Sequence, residues 1–192
     1  MEMLVVLGIT VLVMGAVVRF QFDVFRLNQS DYNQLSTIQD APAILSSIVK
    51  ELRSTSVGNN GSFAINQAAT SSLTFFSDTD GDGLKEQIRY FLSGTLLRRG
   101  SIKPTGLPLS YVSGNETFRT LASNVKNAPS SDIFQYYDDS YDGTTTSLAQ
   151  PVTTTDVHLI KINLLLDVDP NRSPVPILYS SSASLRNLKD NL

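Results

Sequence analysis

MLVVLGITVLVMGAVV, residues 3–18, is the most apolar stretch of the chain and contains no charged residue. Glu2 precedes it and Arg19 follows it, so one acidic and one basic residue bound the stretch. A helix of this length spans about 24 Å, which is less than the roughly 30 Å hydrocarbon core of a bilayer. The pattern predicts a helix that is apolar on every side, and we expect residues 1–26 to lie in a membrane or in the core of a helical filament.

Two other roles for an apolar N-terminal segment fit the flanking charges poorly. A cleavable signal peptide begins with basic residues and ends at a small-residue cleavage site, whereas the only charge before this stretch is that of Glu2. An ordinary membrane anchor carries basic residues on its cytoplasmic side, whereas Arg19 and Arg26 follow the stretch. The charges of this sequence alone would therefore place its C-terminal part in the cytoplasm.

Residues 27–57 are predicted to continue the helix in amphipathic form. Apolar residues recur at spacings of three and four, which places them on one face: Tyr32, Leu35, Ile38, Ala41, Leu45, Ile48 or Val49, and Leu52. The opposite face carries Asp40, Ser47, Lys50 and Arg53. We expect Pro42 to bend or restart the helix, with Asp40 as a candidate cap, and the glycines of 58–61 to end it.

Residues 62–192 are predicted to form a β-rich globular head. Alternating apolar residues and turn signals predict strands over 71–77, 87–92, 95–103, 133–137, 157–166 and 177–185. The strongest strand places Ile160, Ile162, Leu164 and Leu166 on one face. Residues 117–126 are ambiguous, and a short helix is preferred there. The predicted fold class is therefore α+β, with a long N-terminal helix packed on an antiparallel β-sheet head.

The composition excludes several classes of protein. Of the 192 residues, 41% are apolar and 17% are charged, and the formal net charge is -3. The absence of cysteine excludes disulfides, thiolate metal sites and a cysteine nucleophile. No basic stripe indicates a nucleic-acid partner, and Arg98, Arg99 and Lys103 are interpreted as a small spot of solvated edge charge. With no recognisable catalytic motif and a single histidine, His158, we predict no enzymatic activity.

Residues 78–83, DTDGDG, form the chemically most specific motif. Asp78, Asp80 and Asp82 alternate with small residues, a pattern that can surround a hard cation such as Ca²⁺, and Glu86 is a fourth candidate ligand. The motif opens like an EF-hand loop, but Arg89 occupies the twelfth position, where a bidentate glutamate belongs. The alternative is an acidic turn between strands, since aspartate and glycine are common turn residues.

The stretch Glu2–Ile9, EMLVVLGI, resembles the N-terminus of type IV prepilins just after their cleavage site. Residues 46–54, 76–83, 88–92 and 183–188 resemble minor pilins and pseudopilins with larger heads, including, more loosely, the J-type pseudopilin of type II secretion. The resemblance implies a short basic leader and a few further residues before Met1, which would lengthen the apolar segment and supply cytoplasmic charge. In one respect the chain differs, because Arg19 and Phe20 stand where many pilins have a helix-breaking proline.

The resemblance also implies roles for individual residues. In this family the early glutamate, here Glu2, is thought to pair with the α-amine of a neighbouring subunit, which neutralises a buried charge and sets the register of the fibre. An ordinary acid at a helix N-terminus is the alternative. The residues implied to form the membrane or fibre-core helix are Leu4, Val5, Val6, Leu7, Ile9, Val11, Leu12 and Val13.

We therefore predict a structural subunit of a type IV pilus or pseudopilus. The implied partners are identical or different pilin subunits, the inner membrane and the pilus assembly machinery. The implied location is the cell membrane, crossed once, and a filament at the cell surface. The alternative function is a membrane-anchored extracellular binding domain, adhesin-like and calcium-dependent, that does not polymerise.

Overall fold

The structure, a computed structural model, describes residues 2–127, 131–167 and 176–185, with the side chains of all of these except residues 4–5 and 23–39. The helix α1 spans Glu2–Arg53. The strands are β1 (Ile65–Ala68), β2 (Ser72–Ser77), β3 (Glu86–Ser93), β4 (Leu96–Ile102), β5 (Thr117–Ala122), β6 (Phe134–Tyr137), β7 (Leu159–Leu166) and β8 (Ile177–Ser184). Two short 3₁₀ helices span Ser113–Asn115 and Thr154–Asp156.

The strands form two antiparallel sheets. The first has five strands in the order β1-β2-β3-β4-β5, and the second has three strands in the order β6-β7-β8. In both sheets the hydrogen-bonded neighbours are also consecutive in sequence, so each sheet is a meander. Ser93 pairs with Leu96, which leaves Gly94 and Thr95 as the two-residue turn between β3 and β4. Gly94 has φ +62°, a left-handed value that glycine adopts without steric cost.

The last part of α1 supplies one apolar face to a core that it shares with both sheets. Its buried side chains are Ala41, Leu45, Ile48, Val49 and Leu52, which belong to the same hydrophobic cluster as residues of β2, β3, β6 and β7. On β7 the four residues predicted to share a face, Ile160, Ile162, Leu164 and Leu166, are all buried, so that prediction is confirmed. The spacing of three and four in the helix and of two in the strand explains both faces.

A polar contact fixes this helical segment against the five-stranded sheet. The Tyr90 hydroxyl donates to Glu51 Oε2 over 2.7 Å, and Arg99 Nε donates to the same oxygen over 3.0 Å. Burial, followed by the nearby Glu51 charge, raises the pKa of Tyr90. The Arg99 side chain is only 12% exposed. The interpretation of Arg99 as solvated edge charge is therefore wrong, because its guanidinium is turned towards the helix.

The predicted fold class, α+β with a long N-terminal helix packed on an antiparallel β-sheet head, is wrong. The chain divides into two compact units, Met1–Gln39 and Asp40–Leu192, and we call the second the globular unit. The globular unit is mainly β. Its described residues form two antiparallel sheets, and their helical part is limited to Asp40–Arg53 of α1 and two short 3₁₀ helices. The error has a physical cause: alternation predicts which residues form strands, whereas the division of strands between sheets depends on long-range pairing.

Three local features were not anticipated from the sequence. The sequence of residues 117–126 is ambiguous with a short helix preferred, but Thr117–Ala122 forms β5, because its backbone pairs with β4 through contacts such as Gly100 with Phe118. The helix continues through Pro42, which is exposed. Strand β1 was not predicted, since only four residues form it and only the two terminal ones are buried.

The transmembrane-helix prediction is also wrong for the part of the chain that the structure describes. There, no helix combines the length and the apolar character that crossing a bilayer requires.

Truncation of Leu52, which is 1% exposed in the shared core, should lower the free energy of unfolding of the globular unit. We expect Leu52→Ala to cost about 2–5 kcal/mol, because it removes apolar contacts and leaves a cavity. Urea unfolding followed by circular dichroism measures the change. Ser46→Ala, at an exposed position of the same helix, is the control and should change stability by less than about 0.5 kcal/mol. Equal stabilities for the two variants would contradict this description of the core.

Candidate functional site

The acidic loop, residues 78–85, connects β2 to β3. Ser77 pairs with Glu86 across the two strands, so the ends of the loop are held together by the sheet. Gly81 and Gly83 have φ values of +77° and +85°. Because other residues adopt such values only with strain, these glycines allow the chain to turn tightly around the carboxylates.

Backbone amides orient the aspartates of the loop. The Gly81 N–H donates to Asp78 Oδ1 over 2.7 Å, and the Gly83 N–H donates to Asp78 Oδ2 over 3.0 Å. The Leu84 N–H donates to Asp82 Oδ1 over 2.8 Å. These bonds are typical of turns built around aspartate, and they hold the Asp78 carboxylate inside the loop.

A second set of contacts fixes the end of the loop before β3. The Lys85 N–H donates to Asn59 Oδ1 over 2.6 Å, and the Tyr111 hydroxyl donates to the Lys85 carbonyl over 2.7 Å. The Tyr111 ring also packs on Phe76 of β2, with ring centroids 4.9 Å apart. The loop is therefore supported by residues far away in sequence, which is an arrangement that positions ligands precisely.

Glu86 is the buried member of the acidic group, with only 3% of its surface exposed. Its Oε2 accepts hydrogen bonds from the Thr79 N–H over 2.9 Å and from the Thr79 hydroxyl over 2.8 Å. Its Oε1 is also buried and has no hydrogen-bond partner among the described residues. Because a buried carboxylate oxygen without a partner is costly, this atom is available to a cation.

Three of the four predicted metal ligands lie together. Asp78, Asp80 and Glu86 each offer a carboxylate oxygen, and these oxygens lie within 4.8 Å of one another, so the group could hold a metal ion. The fourth predicted ligand, Asp82, is not part of this group. Instead, its Oδ2 accepts a hydrogen bond from Lys103 Nζ over 2.7 Å.

Lys103 follows β4 directly, and the β3–β4 hairpin brings it to the acidic loop. Its Nζ lies 2.7 Å from Asp80 Oδ2 and 2.7 Å from Asp82 Oδ2. Hydrogen bonds to Asp80 and then Asp82 raise the pKa of Lys103, and the hydrogen bond from Lys103 lowers the pKa of Asp82. Sequence reasoning placed Lys103 in a solvated basic spot, because no sequence pattern relates it to residues 80–82.

Two other adjacent aspartates, Asp138 and Asp139, directly follow β6. They line a cavity of about 310 Å³ together with Tyr141, His158 and Ser184. Within the described residues they do not belong to the group of three carboxylates. The His158 Nδ1 lies 3.2 Å from the Asp156 carbonyl oxygen, so the backbone offers a hydrogen-bond partner to this histidine, which directly precedes β7.

The apolar part of α1 forms a second candidate site. Every residue from Val6 to Phe22 is helical and exposed. The large apolar side chains with high exposure are Met3, Val6, Leu7, Ile9, Val11, Leu12, Val13, Met14, Val17, Val18, Phe20 and Phe22. Of the predicted core-helix residues, Leu4 and Val5 lie outside the described side chains, and the other six are among those exposed. Glu2 is exposed as well.

No model of a known protein family matches this chain, and no curated protein is similar to it in sequence.

The negative charge of Glu86 should destabilise the chain when no divalent cation is present. We expect Glu86→Gln to raise the free energy of unfolding by about 1 kcal/mol in a chelator, because the change keeps the shape and removes a buried charge beside two carboxylates. Urea unfolding in excess EDTA measures this. Asp139→Asn, the same loss of charge at an exposed site, is the control. A Glu86→Gln chain that is less stable than the parent would show that the charge is already compensated.

Proposed function

We propose that this chain is a structural subunit of a filament of the type IV pilus or pseudopilus class, which assembles through the apolar part of α1. The observation that carries the proposal is the exposed apolar surface of residues 6–22. Contiguous apolar surface beyond a few hundred Å² is rare on monomers and marks an interaction site. Burying one such side chain contributes about 1.5–3 kcal/mol, so covering the whole segment provides a large driving force.

The distribution of this surface around the helix favours a bundle of helices as its environment. Val11, Leu12, Val13 and Met14 are consecutive and all exposed. Four consecutive residues point in directions about 100° apart and so cover the whole circumference. A groove on one partner would cover only one side, whereas neighbouring copies in a filament cover every side. The one hydroxyl group in the segment, that of Thr10, donates to the Val6 carbonyl over 2.8 Å and so needs no outside partner.

Glu2 gives the assembly a defined register. Its carboxylate lies at the start of the apolar segment, and burial in a bundle would be costly unless a positive group neutralised it. In the proposed filament a positively charged amine of a neighbouring subunit provides that partner. The partners are identical or related subunits together with the assembly machinery, the filament lies at the cell surface, and the chain has no catalytic role.

A charge inside the apolar segment should abolish assembly. We expect Val13→Asp to remove this chain from filaments sheared off the cell surface, because a carboxylate in the bundle would have no partner. Quantitative mass spectrometry of the sheared fraction measures the loss. The matched control is Ser113→Asp, which adds the same charge at an exposed position of the globular unit.

Two results would contradict the filament proposal. One is a Val13→Asp chain that enters filaments as well as the parent does. The other is the absence of the parent chain from sheared filaments although it is present in the cell envelope, which would favour a binding domain that does not polymerise.

We also propose that the group of Asp78, Asp80 and Glu86 binds Ca²⁺. The supporting observation is the buried Glu86 Oε1, which has no hydrogen-bond partner among the described residues. Ca²⁺ prefers carboxylate oxygens and accepts waters at the remaining positions. The ion would join the loop to the start of β3, and it would rigidify a chain that contains no cysteine for disulfides.

Calcium should stabilise the parent chain. At about one hundred times the dissociation constant, we expect Ca²⁺ to add about 2.7 kcal/mol to the free energy of unfolding. Thermal unfolding with and without Ca²⁺ measures the effect. Glu86→Gln should lose the response and Asp139→Asn should keep it. If Ca²⁺ still stabilises the Glu86→Gln chain, the ion binds at another site.

A further inference from the structure

The ammonium group of Lys103 is the only cation that forms an ion pair with the acidic loop among the described residues. It contacts both Asp80 and Asp82. Asp80 is also one of the three carboxylates whose oxygens lie within 4.8 Å of one another. Lys103 and a metal ion would therefore share a ligand.

The charges of the loop are only partly neutralised by this lysine. When ionised, the four carboxylates of the group carry four negative charges, whereas Lys103 supplies one positive charge; these carboxylates belong to Asp78, Asp80, Asp82 and Glu86. The Lys103 contacts leave the buried Glu86 Oε1 without a hydrogen-bond partner among the described residues. The site thus holds a monovalent group at its exposed rim, while its buried part has the charge and the ligand atoms for a divalent ion.

The ammonium group of Lys103 is also able to break its contacts with Asp80 and Asp82. Its side chain is 52% exposed, and both aspartates that it contacts are more than a third exposed. Exposed ion pairs contribute little to stability and are screened by salt. Release of the ammonium group into water would therefore disturb neither the core nor the β3–β4 hairpin.

We propose that Lys103 is a tethered counter-cation of the acidic loop and that a divalent ion binding to Asp78, Asp80 and Glu86 displaces it from Asp80. This inference rests on the proposed calcium-binding function. In the absence of the ion, Lys103 limits repulsion among the carboxylates. When the ion binds, its charge replaces that of the ammonium group, and the segment after β4 is released from the loop. Lys103 thereby lowers the affinity of the site for the divalent ion. It also makes the position of the segment after β4 depend on whether the ion is bound.

Calcium titration of the full chain in a non-ionic detergent, followed by calorimetry, tests the proposal. Lys103→Gln should bind Ca²⁺ about tenfold more tightly, the size of effect that Coulomb's law gives for a unit charge near a divalent ion in water. Lys103→Arg keeps the charge and should bind as the parent does. Lys161→Gln removes a lysine of β7 that forms no ion pair with described residues, and it should change the affinity less than twofold.

The outcomes distinguish this proposal from the calcium-binding proposal on which it rests. If the parent binds Ca²⁺ and Lys103→Gln binds no more tightly, the counter-cation role is overturned and the calcium site remains. If only Lys103→Gln binds measurably, the role of Lys103 is supported in its strongest form. If neither chain binds Ca²⁺ although circular dichroism shows both to be folded, both proposals are overturned.

Discussion

The globular unit depends on the burial of one face of a short helical segment. Residues 40–53 of α1 place Leu45, Ile48 and Leu52 in the core that also contains the inner faces of both sheets. Neither a five-stranded nor a three-stranded open sheet is stable with both faces in water, so each needs a cover. The Tyr90 hydroxyl and the Arg99 guanidinium both bind the Glu51 carboxylate, and these contacts fix the orientation of the segment. Removing one partner would be costly, because it would leave a poorly hydrated charge unpaired.

The candidate metal site follows from this framework. The pairing of Ser77 with Glu86 closes the acidic loop, and the burial of β3 takes the Glu86 carboxylate out of water. The next hairpin returns the chain so that Lys103 reaches Asp80 and Asp82. The same cluster of carboxylates therefore includes a buried acid, Glu86, and contacts a half-exposed lysine, Lys103. The three carboxylates brought together in this way, Asp78, Asp80 and Glu86, could hold a metal ion.

The contrast between two parts of the molecule suggests how its functions are divided. Residues 6–18 of α1 carry no charge and contain one hydroxyl group, that of Thr10, which donates to the Val6 carbonyl, so their exposed surface is almost entirely apolar. The acidic loop has the opposite character, since its chemistry is specific and its ligands are held by the sheet. In the proposed filament the first would supply cohesion, and the second would make the globular unit responsive to calcium.

The sequence by itself determined the periodic features: the apolar stretch, the amphipathic helical face ending at Leu52, the inner face of β7 and the acidic loop. These are local, because spacing along the chain decides which side chains share a face. Only the tertiary structure decided that the strands divide into two sheets, that residues 117–122 form a strand, that Arg99 binds Glu51 and that Lys103 meets Asp80. Each of these depends on pairing between distant residues, and its free energy arises only when the whole core is assembled.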